Sequence, residues 1–520
     1  MAVDKVAGMA RIAVIGAGMG AMAAAARLAV AGHRVVVYER TETYGGAVRR
    51  LERDGFGFDT GPGVLPLPAV YRDLFLKTGK EPLEDCVRLT QVDPSSRHVF
   101  ADGTAVSLPN ASRAGVVAAL DEALGSGAGR RWGDFLVRAR EAWDRTRRPL
   151  LEEPLWPDWP VLTGREPYPA VPHKRLLRTR RAATLAEIGA WELCDPRLTA
   201  LLAGHALAHG LDPATAPASA AVLPYMEHAF GVWYVEGGIR ELARAVYERC
   251  VRRRVEFAFG AEVTGILEKD GRAAGVELAE GTSQEDGSGG RTLAEADAVV
   301  GTGPWRLRGM LPGQELYGPD AVTPSAEGRF SGRVVVCLAL RGEREPGAVH
   351  RTVVHSPDAA AELGLFTAQG MPERPTVCVD RPDDPALRPD AAHESVVVTA
   401  TVPSAAEYDW SAPGVADAFA DRLVAVAGQA VPGLRERVLW REVRTPVHTA
   451  QETGAEGGAV PPPALAAAGG LLHPSNSTAI PGLLAAGGWS HPGGGLPHAG
   501  MSGALVAGLI VEGPDFRGSQ

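Results

Sequence analysis

Gly16, Gly18 and Ala21 stand in the spacing GxGxxA, between the apolar run Ile12–Ile15 and the alanine-rich stretch Ala21–Ala31, which ends at Gly32. In a strand–turn–helix, the first glycine permits the tight turn and the second lets the backbone approach a pyrophosphate. The small third residue keeps the helix close to the strand. The helix N-terminus, around Met19, Gly20 and Ala21, then offers oriented N–H groups to the phosphates. Glu39 ends the next apolar run, Arg34–Glu39, where its carboxylate can accept from a ribose hydroxyl, with Arg40 beside it. The triplet alone is a weak signal, because glycine-rich turns are common. The strand before it, the helix after it and Glu39 make it a dinucleotide signature.

Two further glycine clusters bear on the same chemistry. Gly45-Gly46, followed by Ala47, would let a second stretch of backbone approach the dinucleotide where a bulkier residue would obstruct. Near the other end, Gly487-Gly488-Trp489-Ser490-His491-Pro492-Gly493-Gly494-Gly495-Leu496-Pro497 forms a glycine-rich crossing between an expected strand, Gly482–Ala486, and an expected helix, Met501–Val511. The positive end of that helix would stabilise negative charge on a reduced ring. His491 and His498 are candidate catalytic groups, against the alternative of satisfied structural histidines. Trp233, Tyr234 and Trp489 could line a ring or substrate channel, or serve the core. Asp59 and Glu227 have helix or turn hydrogen bonding as their simpler role. No Ser/His/Asp set, metal-ligand cluster or Walker-type loop competes, so no metal is expected.

These residues need positioning elements from distant parts of the chain. Short apolar runs at Ile12–Ile15, Arg34–Glu39 and Ala298–Gly301 suit buried parallel strands. Val255–Phe259, Ala261–Glu268 and Ala273–Leu278 read as further strands, and Val334–Leu340 and Ser395–Val402 as strands of a second sheet. Residues 110–210 read mainly helical, interrupted by a proline-rich stretch from Pro154 to Pro172. The polar segment Gly281–Arg291 reads as a solvated hairpin tip, and Gly454–Gly470 as a mobile loop. The expectation is an α/β fold. A discontinuous Rossmann-type domain takes residues 9–95, 230–310 and 471–514, and a mixed-sheet and helical substrate or cap domain takes 96–229 and 311–470.

Bulk properties narrow the class. With 520 residues the chain can hold two or three domains, and 45% hydrophobic and 22% charged residues are ordinary for a globular protein. A formal charge of −9 argues against nucleic acid as a partner. The five scattered cysteines include no CxxC pair and fit reduced thiols in the cytoplasm. No apolar run reaches the ~20 residues of a spanning helix. Peripheral membrane contact stays open as a local matter, although the stretch expected to dip into lipid is rich in arginine (Arg175, Arg178, Arg180, Arg181).

The run Glu39–Gly46 resembles the GG-doublet superfamily of FAD-binding proteins, which includes amine oxidases and phytoene desaturases. Gly55-Phe56-Gly57-Phe58-Asp59-Thr60-Gly61-Pro62, Gly231-Val232-Trp233-Tyr234-Val235-Glu236-Gly237-Gly238 and the closing His-Pro-Gly segment are similar to segments of bacterial phytoene desaturases. These matches are collinear from residue 11 to about 512, while residues 110–220 match poorly. The resemblance implies FAD held by the glycine segments, with Gly61, Pro62, Val263, Gly301, Gly495, Leu496, Pro497 and Met501 completing the set. It also implies hydride transfer between flavin and C–C or C=C bonds of a large apolar polyene or isoprenoid. Family relatives also include saturases, isomerases and reductive cyclases of polyene macrolactams, and the scaffold recurs in non-enzymatic GDP-dissociation inhibitors. Many relatives carry an acid after the first glycine of the closing motif, where this chain has Gly488. The electron donor or acceptor stays open, with no second GxGxxG for a resident NAD(P)H.

Overall fold

A computed structural model describes residues 8–155, 162, 164–173, 178–279, 292–317, 330–358, 362, 371–467 and 471–518. The segment Gly281–Arg291 lies outside the described residues, as do Arg175 and part of the stretch from Pro154 to Pro172.

The first element, β1 (Arg11–Ile15), is apolar on both faces because it lies in the middle of a parallel sheet. Helix α1 (Met19–Val30) carries the chain back to β2 (Arg34–Glu39), and the sheet is completed by β3 (Glu256–Phe259), β4 (Ala298–Gly301) and β5 (Leu483–Ala485). Their order is β3-β2-β1-β4-β5, all parallel, the strand order of a doubly wound nucleotide-binding sheet. Helix α2 (Leu496–Glu512) packs along α1 through small residues. A Cβ on Gly503 would come within 2.7 Å of the Ala24 nitrogen, so only glycine allows this approach.

Helix α2 begins five residues before the expected Met501. Gly495 takes φ +102 at its N-cap, and Pro497 sits in the first turn with its φ already suited to a helix. The positive end therefore lies at Leu496–His498, and Met501 is buried a full turn inside.

A second sheet of seven strands runs Val438–Arg444, Ser331–Arg341, His393–Pro403, Val377–Asp380, Arg351–Val354, Ser96–Val99, Ala105–Leu108. Pairing is antiparallel except where Arg351–Val354 meets Ser96–Val99. One face packs its valines and leucines on helix Val415–Ala427. The other face packs Val335, Cys337, Ala339 and Val397 on Phe56 and Phe58. At Ser331 and Thr401 it meets a helical cap built from Arg113–Leu124, Ala128–Arg147, Pro196–Ala208 and Val222–Phe230, whose core also takes in Leu465, Met501 and Ala504. No described helix is long and apolar enough to cross a membrane. Arg180 lies over the Trp191 ring at 4.5 Å, and Arg181 donates to the carbonyls of Glu166 and Tyr168, so both arginines tie cap segments together.

Residues 454–467 differ from the mobile loop expected of their composition. Ala464–Ala467 are buried, the Ala464 N–H donates to the Pro492 carbonyl at 2.9 Å, and Pro463 bridges Gly493. Proline removes backbone freedom, and the glycines opposite leave room for a close-packed strap.

Candidate active site

Three glycine segments converge beyond the C-terminal end of β1. The Gly16 N–H donates to the Tyr38 carbonyl at 2.7 Å, and the Gly45 N–H donates to the Ala17 carbonyl at 2.7 Å, with Gly18 and Gly45 forming a bridge. Gly45 sits at φ +101, and a Cβ there would approach the Val48 carbonyl oxygen to 2.6 Å, so the doublet position admits only glycine. Gly20 faces the third segment: its Cβ would lie 2.8 Å from the Ala499 oxygen and 3.0 Å from the Gly487 Cα. Ala21, expected to keep the helix close to the strand, is buried in the core beneath the sheet.

Gly18 and Gly487 are different. A Cβ on either would meet nothing within 4 Å, and both keep accessible backbone in the middle of this convergence. They border an open cradle at the N-terminus of α1, where N–H groups and the helix dipole favour a phosphate. Glu39 lies at its edge, with Oε2 accepting from the Ala17 N–H at 2.7 Å and Oε1 from the Thr41 N–H at 2.8 Å. Gly16, Gly46, Gly61, Pro62 and Gly488 are half-buried, while Ala47 and Gly495 are exposed. Arg40 donates to the Gln451 carbonyl. Val263 is buried under β1 with Ala13 and Ile15, and Gly301 bonds through its carbonyl to the Ala486 N–H at 3.0 Å.

The other matched motifs hold the doublet in place. Asp59 is buried and accepts from the Ile239 N–H at 2.8 Å, capping the start of helix Arg240–Arg252. This is the hydrogen-bonding role that is its simpler reading. Burial outweighs these bonds and the nearby Arg50 charge, and lifts the Asp59 carboxyl to about 6. Arg240, at the helix start, donates to the Tyr44 and Val48 carbonyls and to Thr43 Oγ1, with its guanidinium 4.1 Å from the Tyr44 ring centroid. Sequence reasoning missed Arg240; its place two residues after Gly237-Gly238 was the available signal.

The candidate aromatic and histidine groups part company. Tyr234 is buried, and its hydroxyl donates to Asp384 Oδ2 at 2.7 Å. Trp233 is half-buried, and its indole N–H donates to the Phe230 carbonyl at 3.1 Å. Trp489 packs edge-on to Trp305 at 4.4 Å and to Phe330 at 5.0 Å. His491 is fully buried, and its Nε2 donates to the Glu153 carbonyl at 2.9 Å, which braces the glycine crossing against the cap. His498 instead lines an apolar recess with Trp143, Leu150, Met226 and Leu465, between the start of α2 and the cap helices. Glu227 lies 3.5 Å from His205.

Gly488 has a structural cause. A Cβ there would lie 2.7 Å from Pro461 Cγ and 3.4 Å from the Gly494 Cα, so the proline strap occupies the space an acid would need. Gly488→Asp is expected to reduce the flavin retained through gel filtration at least about fivefold by overpacking. Adding Pro461→Ala should recover part of it. Full retention in the single variant would contradict the steric cause.

Burial pushes His350, His473 and His491 down to about 4, and His355 and His498 to about 3. Unfolded, these rings take up protons near pH 6.5. Their contribution to stability is complete above that pH and is lost as pH falls toward 4. Burial raises Asp59 to about 6 and Glu166 to about 7, which acts oppositely, since both protonate first in the folded chain. The excess of histidines held down by burial over the carboxyls Asp59, Glu166 and Glu362 pushed up by it predicts a melting midpoint roughly 5 °C or more lower at pH 5 than at pH 7.5. An equal or higher midpoint at pH 5 would contradict this balance.

The chain matches the flavin containing amine oxidoreductase family over residues 22–511 and belongs to it. It is a flavin-dependent oxidoreductase, and its cofactor is FAD. Among curated proteins it is 32% identical to hydroxyneurosporene desaturase of Cereibacter sphaeroides, over 96% of this chain and 97% of the relative. It is 28% identical to 4,4'-diapolycopene oxygenase of a Methylomonas species, over 96% and 98% of the two chains. A solved oxidoreductase from Methanosarcina mazei shares the fold at 17% identity, with a TM-score of 0.60 over 95% of this chain and 99% of the other.

Proposed function

We propose that this protein is a phytoene desaturase-type oxidoreductase acting on C–C or C=C bonds of a large apolar polyene or isoprenoid. What supports the reading most is the full-length likeness to enzymes named for carotenoid chemistry.

FAD suits the cradle: Gly16, Gly18, Met19, Gly20 and Ala21 would take the pyrophosphate, Glu39 the ribose, and Gly45–Ala47, Gly61 and Pro62 the second approach. Arg40, Val263, Gly301, Gly487, Gly488, Gly495, Leu496, Pro497 and Met501 complete the proposed set. When bound, the flavin supplies hydride acceptance or donation. The protein supplies a dry channel and a fixed orientation. His498 is uncharged at neutral pH, so it can orient a substrate without adding a buried cation. In this reading the division into a cofactor part (9–95, 230–310, 471–514) and a substrate part (96–229, 311–470) follows the two large sheets.

A second reading is a saturase, isomerase or reductive cyclase of a polyene macrolactam-like compound. Charged residues on the cap-facing side of the seven-stranded sheet favour it. Incubation with lycopene precursors and with polyene macrolactams, aerobically and with NADPH, separates the two. A product two mass units lighter identifies a desaturase, and one two units heavier under NADPH a reductive enzyme. No product from either class would overturn both.

A further inference from the structure

Strand Ser331–Arg341 lies inside the seven-stranded sheet, paired on both sides, and one face of that sheet is closed by helix Val415–Ala427. On the other face, Arg333, Arg351, Val353, Cys378 and Thr399 keep accessible surface although they lie within interior strands. They are neighbours in register: Val353 pairs with Cys378, Cys378 with Thr399, and Arg333 with Thr401. The cap roofs this face, with Thr401 Oγ1 donating to the Leu207 carbonyl at 2.7 Å and Ser331 Oγ to the Gly210 carbonyl at 3.1 Å. This accessible surface, where sheet and cap meet, is the proposed chamber wall. The chamber wall reaches the proposed cofactor segment, because a Cβ on Gly63 would lie 3.1 Å from Asp380 Oδ2.

The wall is polar, and its charges are not all matched. Arg351 holds Asp380 with two bonds of 2.8 and 3.2 Å, and Glu227 lies beside His205. Arg333 has no carboxylate within 4.0 Å among the described residues. Its Nη2 donates to the Ala208 carbonyl at the end of helix Pro196–Ala208, and its Nε is buried without a partner. A lone helix carbonyl leaves most of the guanidinium's five donors unused. Burial also lowers the Arg333 pKa, a cost that an anion beside it would remove.

We propose that Arg333 binds an acidic oxygen, a carboxylate or an acidic enol, carried by the substrate. This deepens the polyene reading and rests on it: the substrate is a polyene with one oxyanionic end, seated on the sheet wall while its apolar part runs toward His498. Charge-assisted bonding to a guanidinium with unused donors gives the preference its strength.

The test uses purified holoprotein titrated with all-trans-retinoate and with retinol, polyenes of equal length that differ in the acid. Tryptophan fluorescence reports binding whether or not flavin is retained, and absorbance at the flavin band reports cofactor content. Retinoate is expected to bind at least about tenfold more tightly than retinol. Arg333→Met should bring the two within about twofold, and Arg333→Lys should keep part of the difference, with flavin content unchanged. Equal binding of both probes to the unmodified protein overturns the proposal, as does an undiminished preference in Arg333→Met. If the Met variant does not fold, the unmodified protein and the Lys variant decide. A 3-acyltetramic acid tested against its O-methyl ether separates the enol source from the carboxylate. Purified protein that holds no flavin and takes up none would instead overturn the oxidoreductase reading.

Discussion

Gly18→Val is expected to give a folded protein that has lost FAD, with affinity reduced at least about a hundredfold. A Cβ at Gly18 meets nothing within 4 Å, and the backbone there, at φ −72 and ψ 166, is open to any residue. The space it enters is the cradle between the start of α1 and the Gly45-Gly46 doublet, where the pyrophosphate is proposed to approach the backbone. Losing about two charge-assisted backbone hydrogen bonds costs about 3–6 kcal/mol, which sets the magnitude. Gly20→Val provides the contrast. Its Cβ would press on the Ala499 oxygen at 2.8 Å and the Gly487 Cα at 3.0 Å, so it should damage folding itself. The measurements are bound flavin per chain from the visible spectrum and thermal melting of flavin-stripped protein. A Gly18→Val protein with one flavin per chain would show that the cofactor lies elsewhere.

Glu394→Leu is expected to cost about 3–5 kcal/mol of stability, among the larger effects available to one side chain. Glu394 is 1% exposed and accepts from Arg381 at 2.7 and 3.0 Å and from Arg437 at 2.8 Å. Arg381 is itself buried, so removing the carboxylate leaves a desolvated cation with Glu345 as its remaining carboxylate. Leucine restores volume but not charge. Denaturant unfolding of the flavin-free protein checks this, and a loss below about 1 kcal/mol would show that the arginines find other partners. The strand His393–Pro403 also carries Thr399 on the proposed chamber wall, so the variant should disturb the substrate side before the cofactor side.

Much of the cofactor side was legible from the residues alone. Ile12–Ile15, Arg34–Glu39 and Ala298–Gly301 are strands because short apolar runs bounded by glycine or charge suit a buried parallel sheet. Gly16 and Gly45 stand where positive φ is needed, and that requirement is written into residue type. Residue types alone place the start of α2 late, because Leu-Pro-His-Ala-Gly reads as loop until Gly495 and Pro497 are recognised as an N-cap and a first turn. Composition makes Gly454–Gly470 read as mobile, and the order of residues 454–467 comes from pairing with Gly493 and Gly494.

The sequence by itself determined the class of cofactor and the local form of the glycine segments proposed to hold it, because helix starts, tight turns and buried strands depend on near neighbours along the chain. Only the tertiary structure decided the rest: Pro461 excludes an acid at Gly488, Asp59 and Arg240 clamp the doublet, His491 braces while His498 opens on a recess, and Arg333 meets the Ala208 carbonyl. Those outcomes rest on residues tens to hundreds of positions apart. Packing brings them together, and no local periodicity reports which side chain a distant strand will meet.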